Sequence, residues 1–286
     1  MPRSKKPRKK KTSSDDNNVV PFAGTSQVAE TMFGTIGNNG GNPEFRAQNL
    51  IYDAWEATTA KKRVTLAKKA LKIFPNCADA YNILAEHAAI TAHDALQYYK
   101  RGVDAGEKAI GEEDYKAFMG HFWGFMETRP YMRALHGLGE ALWATGDCEG
   151  AIETFERMLE LNPGDNQGIR YILTAKLLEV GDFEKLHGIF AEYSDDGSPD
   201  IQYTRALVAF IENDSAAAEI AKEAYPTNKH IPLILSGKMP AVEIDHFITM
   251  GGVDEASGYN EIFGHTWRRT PGSIKWLCDT VEKMAD

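Results

Sequence analysis

Glu86, His87 and His93 come closest, among the side chains of this sequence, to the types and spacing of a metal site. Imidazole and carboxylate groups are common zinc ligands. However, His87 and His93 are six residues apart, which places them on different sides of a helix. The sequence also lacks the motifs GxxxxGK[ST], GxSxG and HExxH. We therefore predict no catalytic residue, no metal and no cofactor, and an enzyme with an unrecognised site remains an alternative.

Three arginines, Arg133, Arg170 and Arg205, recur at intervals of 37 and 35 residues. Each falls in the first helix of a predicted helical pair, so together they would form a basic ladder. A guanidinium group binds a carboxylate through two parallel hydrogen bonds, which would suit an acidic peptide or a free carboxyl terminus. The alternative is that these arginines pair with neighbouring carboxylates of their own chain.

The stretch from Met132 to Pro163 predicts the elements that position such side chains. Its small and apolar residues follow the tetratricopeptide pattern of two packed helices: Leu135, Leu138, Gly139, Leu142, Ala151, Phe155 and Pro163. We predict a close helix crossing at Gly139, a turn at Gly146 and Asp147, and a helix end before Pro163. Part of the pattern recurs 35 residues later, as Leu173, Leu177, Gly181, Asp182 and Phe190.

Apolar residues at helical spacing continue on both sides of this repeat, which predicts an all-α, tetratricopeptide-type solenoid of helical hairpins. Further pairs are predicted within residues 45–75, 80–102 and 203–226. Between the second and third pairs, a helix beginning at Glu112 is predicted to lead into the aromatic run 118–125. We expect this run to pack between repeats and to end at Arg129-Pro130.

The same patterns divide the chain into a disordered arm and linker over residues 1–43, repeats over 44–230 and a helical cap over 231–286. Within the cap, the Pro-bounded segment 231–240 is predicted to lie extended across the last repeat. Two closing helices follow, one reaching Pro271 and one through Ile274 and Val281.

The first eleven residues contain seven basic side chains and no acidic one, although the whole chain has a formal net charge of -9. The remainder therefore contains 25 basic against 41 acidic residues. Residues 3–11 either bind nucleic acid weakly and without sequence preference or act as a solvated tail. In the linker, Val28, Met32 and Phe33 have helical spacing, which fits a weak local helix or a docking patch.

No apolar run approaches the roughly 20 residues of a membrane span, and no apolar signal core follows the basic arm. The three cysteines, Cys77, Cys148 and Cys278, are widely spaced and odd in number, which argues against a disulfide framework. We therefore expect a cytoplasmic protein with reduced thiols.

In a tetratricopeptide array, the first helix of each pair lines the concave surface, so its residues outside the core are the candidate partner contacts. These candidates are Asn82, Glu86, Arg133, His136, Glu140, Trp143, Asn166, Arg170, Tyr171, Thr174 and Arg205. We predict a non-enzymatic scaffold that binds another protein in this groove, through a peptide, an acidic one included, or a helix. The alternative is a nucleic-acid-associated factor tethered by its basic arm.

Two blocks of the sequence carry a family resemblance. The first contains Ala70-Leu71, Pro75, Cys77-Ala78, Ala80, Leu84-Ala85-Glu86, Asp94-Ala95 and Ala105-Gly106. The second contains His230-Ile231-Pro232, Leu235, Trp267-Arg268-Arg269-Thr270-Pro271-Gly272 and Trp276-Leu277. Over roughly residues 60–280, the chain resembles the tetratricopeptide region of the suppressor of tumorigenicity seven family. Without the membrane-spanning segments of the animal members, it looks more like the soluble, bacterial-type relatives. The resemblance implies a helical-repeat protein and supplies no catalytic residues.

Overall fold

The structure, a computed structural model, describes residues 41–244 and 248–282. Within these two ranges every regular element is a helix, as the sequence predicts. The basic residues 3–11, the apolar patch Val28 to Phe33 and most of the predicted linker lie outside the described residues, so the interpretations placed on them remain predictions.

Five helical hairpins follow one another along the described chain, and shorter helices follow the last of them. The hairpins are α1 (Pro43–Glu56) with α2 (Ala60–Ile73), α3 (Ala78–Ala88) with α4 (Ala92–Ile110), α6 (Arg129–Ala144) with α7 (Cys148–Leu161), α8 (Ile169–Val180) with α9 (Phe183–Glu192), and α10 (Pro199–Ile211) with α11 (Ala217–Ala224). The remaining α-helices are α5 (Glu112–Ala117), α12 (Ile231–Leu235), α13 (Val253–Ile262), α14 (Gly264–Arg269) and α15 (Ser273–Glu282), and two 3₁₀ turns occupy Phe122–Gly124 and Tyr225–Thr227.

The third hairpin, α6 with α7, forms where the tetratricopeptide pattern predicts it. Gly146 turns the chain with a φ of 88°, a conformation that favours glycine. The side chain of Asp147 then accepts a hydrogen bond from the Gly150 amide at 3.0 Å and caps α7. A Cβ added at Gly139 would lie 2.6 Å from the ring of the fully buried Phe155. The predicted close crossing and turn are thus confirmed.

The fourth hairpin repeats this local chemistry 35 residues later. Gly181 ends α8 with a φ of 77°, and Asp182 accepts from the Lys185 amide at 3.1 Å. Phe190 is buried, as is Phe155 at the equivalent position. The predicted internal repeat is therefore present in both the turn and the packing.

Three details of the predicted architecture are wrong. Residues 231–235 are not extended, because Pro232 sits in the first turn of α12, where its missing amide hydrogen is tolerated. Arg129-Pro130 begins α6 instead of ending a helix, for the same reason. The helix expected to reach Pro271 is divided at Phe263 into α13 and α14.

Candidate partner-binding site

One side of α6 presents the predicted contacts Arg133, His136, Glu140 and Trp143, all of which are partly buried. They are spaced three and four residues apart, so they share one side of the helix. Burial lowers the pKa of His136, although Glu140 opposes the shift. Arg133 reaches back toward the preceding first helices, and Trp143 lies toward the following one.

Arg133 joins three consecutive first helices. Its Nε and Nη2 donate to the two carboxylate oxygens of Asp79 on α3 at 2.9 and 2.6 Å. Its guanidinium carbon also lies 5.2 Å from the ring centroid of Trp55 on α1. Asp79 is only 1% exposed, so the paired arginine compensates a carboxylate that has lost its water.

Lys176 makes the corresponding contacts one repeat later. Its Nζ lies 4.6 Å from the Trp143 ring centroid and 3.6 Å from Glu140 Oε2, so α8 is joined to α6. A cation held near both an aromatic face and a carboxylate is favoured by each of them.

Arg170, at the start of α8, is held by two carboxylates. Its Nη1 lies 2.8 Å from Asp165 Oδ2, and its Nε lies 2.6 Å from Asp196 Oδ2. The guanidinium carbon lies 4.2 Å from the Tyr171 ring centroid, and the Tyr171 hydroxyl donates to Asp196 at 2.9 Å. Burial alone would raise the pKa of Asp196, but hydrogen bonds from Ser198 and Arg170 hold that pKa below its ordinary value.

These contacts make three charge–aromatic sets, each containing one ring, one cation and one carboxylate. The sets are Trp55 with Arg133 and Asp79, Trp143 with Lys176 and Glu140, and Tyr171 with Arg170 and Asp196. Sequence reasoning missed Trp55, Asp79, Lys176 and Asp196. Trp55 could have been found, because it is a large ring on a first helix, where the other candidate contacts were sought.

The three arginines predicted as a ladder have different surroundings. Arg133 and Arg170 pair with carboxylates of their own chain, which was the alternative interpretation. Arg205 lies 6.0 Å from the ring centroid of Phe190 on the second helix α9. A ladder of uncompensated positive charge is therefore not formed by Arg133 and Arg170.

Two of the predicted contacts lie inside the protein. Asn82 is 5% exposed and donates to Asp79 and to the backbone oxygen of Pro130, while Thr174 is fully buried on α8. The prediction that both line the groove is wrong, because Asn82 contacts the next hairpin at Pro130 and Thr174 has no exposed surface. Glu86 is exposed, and Asn166 is exposed in the turn before α8.

A cleft of about 730 Å³ opens beside the third charge–aromatic set. Its walls come from the turn before α8, the loop between α9 and α10, and the chain around Met250. Four acidic residues and one basic residue line it: Glu192, Asp195, Asp196 and Glu255, with Arg170. Next to it, burial raises the pKa of Asp200 to about 6, with a further contribution from Glu255. The cleft therefore carries a net negative charge.

His87 is one of the three side chains that come closest to the pattern of a metal site in the sequence, and in the structure it lies beside Arg63. Arg63 Nη1 is 3.0 Å from His87 Nε2. Within residues 41–244 and 248–282, no cluster of three histidine, cysteine or acidic side chains is arranged to hold a metal. In the same two ranges, no helix has the length and hydropathy of a membrane span.

The stacked hairpins, with glycine turns and buried phenylalanines 35 residues apart, define a helical-repeat protein of the tetratricopeptide type. Residues 25–119 match the family model described as "ST7 protein". The chain is 25% identical to the suppressor of tumorigenicity 7 protein-like of Gallus gallus, over 82% of this chain and 47% of that protein. It is 24% identical to the protein ST7 homolog of Drosophila pseudoobscura pseudoobscura, over 82% of this chain and 48% of that protein. These matches confirm the resemblance to that family.

The chain spans about half the length of the curated relatives that it matches. Among solved structures, it is similar to the crystal structure of YrrB, described as a TPR protein with an unusual peptide-binding site. That match has 18% sequence identity and a TM-score of 0.48, and it covers 73% of this chain and 98% of the other.

Proposed function

We propose that this protein is a non-enzymatic interaction scaffold that binds a peptide or a partner helix along its first helices. The proposal is carried by the recurrence of the charge–aromatic sets. Each set lies on or beside a first helix, and together they join α1, α3, α6, α8 and the loop before α10. Tryptophan, tyrosine and arginine are the residues most enriched where protein interfaces gain their binding energy.

The second set is the proposed centre of the groove. Trp143 is partly buried, with Lys176 near its ring and Glu140 beside the same cation. A ring held in this way offers an apolar surface with little loss of side-chain entropy on binding. The neighbouring charged pair can hydrogen-bond the backbone of an extended peptide.

The charges along the groove favour a neutral or basic partner over an acidic one. Arg133 and Arg170 are already compensated by carboxylates, and the cleft beside Arg170 contains more acidic than basic side chains. An acidic peptide would have to displace these internal carboxylates before it could bind either guanidinium. We therefore propose a partner with apolar anchors and lysine or arginine residues.

A peptide array probed with the full chain tests this proposal. Bound peptides should contain aromatic or aliphatic side chains together with lysine or arginine, and few acidic residues. Trp143→Ala should weaken the strongest binders by roughly 1–3 kcal/mol, the range of an interface anchor. Lys62→Ala, at an exposed position of α2, is the control and should leave binding unchanged.

Enrichment of acidic peptides would contradict the proposed charge preference. Equal binding by the original chain and the Trp143→Ala variant would remove the second set from the site. In that case Trp143 would not be the centre of the groove, and the proposed binding site would be wrong whichever peptides the array retains.

A further inference from the structure

Helix α1 has a second apolar side that is open to solvent. Its buried side consists of Ala47, Ile51 and Ala54, each with no exposure. A different side, about 120° around the helix axis, contains the aromatic residues Phe45, Tyr52 and Trp55, which are 43%, 43% and 41% exposed. We call these three residues the aromatic side of α1. Three large exposed rings in one row of a short helix form the kind of patch that marks an interaction site.

The polar groups around this aromatic side do not conceal it. Tyr52 and Trp55 have ring centroids 5.7 Å apart and form one continuous surface. Arg133 lies against Trp55 alone, at 5.2 Å from its ring centroid. Arg46, Asp53 and Glu56 occupy a third side of the helix. Glu44 and Gln48 lie next to the rings, yet all three rings remain exposed.

We propose that the aromatic side of α1 is the docking site for the segment Val28 to Phe33 of the same chain. This segment lies outside the described residues, and Val28, Met32 and Phe33 are its apolar side chains. The family model matches residues 25–119 as one unit, so it includes this segment together with α1. The proposal shares Trp55 with the first charge–aromatic set, but it does not depend on the peptide binding proposed above.

Chain length permits this docking. Eight residues lie between Phe33 and Asn42, the residue that caps α1, and the nine Cα–Cα steps that join the two span about 30 Å at most. Helix α1 has 14 residues, so it is about 21 Å long. The connection contains Gly34, Gly37, Gly40 and Gly41, which permit the chain to reverse direction.

Proximity also favours this occupant over a second copy of the chain. A short covalent connection gives a local concentration on the order of mM. A second copy at μM concentration would therefore need an affinity about a thousandfold higher to compete for the same rings. We therefore assign the aromatic side of α1 to the segment Val28 to Phe33 of the same chain in preference to a second copy.

Photocrosslinking of the full chain tests the assignment. With p-benzoylphenylalanine in place of Tyr52, irradiation should join α1 to residues 25–36 within one molecule, as read by mass spectrometry of the monomer. The same probe in place of Asn49, on the polar side, should give little of this product. The probe in place of Trp55 should react with α6 near Arg133, which verifies the photochemistry.

Two variants identify what holds the segment. Met32→Ser with Phe33→Ser should lower the Tyr52 product about tenfold or more, because each buried apolar side chain contributes several-fold to binding. Deletion of residues 2–11 should leave the yield unchanged, since the contact is apolar. Circular dichroism should show the same helix content for all variants.

Several results would overturn the assignment. A crosslinked dimer from the Tyr52 probe would assign the aromatic side to a second copy. Products with α6 alone, or no product where the Trp55 probe reacts, would leave it without the proposed segment. An unchanged yield in the Met32 and Phe33 variant would exclude their role, and loss of product on deletion of residues 2–11 would assign the contact to the basic arm.

Discussion

The first and third hairpins place their large side chains on opposite sides of the same kind of helix pair. In the first hairpin, the fully buried residues of α1 and α2 are mostly alanines, and the rings of α1 are outside. In the third, Phe155 and Met158 are buried, and Gly139 makes room for the ring. The difference teaches that one repeat pattern can bury its large residues, where they stabilise the fold, or leave them exposed at the surface.

The sharpest test of this comparison is Phe155→Ala against Trp55→Ala. Loss of the buried Phe155 ring should lower the free energy of unfolding by about 3–5 kcal/mol, the cost of a large cavity. Loss of the 41% exposed Trp55 should cost less than about 1 kcal/mol. Urea unfolding measures both, and equal losses would show that the two hairpins are not built differently.

The charge–aromatic sets extend the comparison to the fourth hairpin. Arg170→Ala leaves Asp165, which is 5% exposed, and Asp196 without their cation, so we expect a loss of about 2–4 kcal/mol. Arg133→Ala leaves one buried carboxylate, Asp79, and should cost less. The measurement is urea unfolding at pH 7. A larger loss for Arg133→Ala would contradict this order and show that the first charge–aromatic set contributes more to stability than the third.

The smallest expected effect is a dependence on pH near the cleft. The pKa of Asp200 is raised to about 6, so between about pH 4 and 6 the folded chain binds more protons than the unfolded one. The contribution of Asp200 to the free energy of unfolding therefore falls as pH rises from about 4 to about 6. Asp200→Asn should match the original chain near pH 4 and be about 1–2 kcal/mol more stable at pH 7. A difference that is constant with pH would contradict this origin.

The sequence predicted what depends on short-range patterns. Gly146 with Asp147, and Gly181 with Asp182, specify their turns locally, so the hairpins could be identified without the structure. The pairing of Arg133 with Asp79 could not, because the two residues are 54 positions apart and only stacking brings them together. Thr174 was misplaced for a different reason: it lies in the middle of α8, where an error of one residue rotates a side chain by about 100° around the helix, from the groove into the core.

The contact of Arg133 with Asp79 and Trp55 also determines how cooperatively the molecule opens. The buried apolar residues fall into two clusters, one within residues 47–84 and one within residues 96–281. Arg133 lies on α6, a helix of the second cluster, and contacts Asp79 and Trp55, which lie on helices of the first cluster. The two clusters thus form two folding units that are joined partly by the contact of Arg133 with Asp79 and Trp55. Separate folding units of one protein commonly exchange their amide hydrogens at different rates. We therefore expect the amide hydrogens of α1, α2 and α3, which supply the first cluster, to exchange faster than those of the second cluster. Loss of the Arg133 contact should widen this difference in exchange rates.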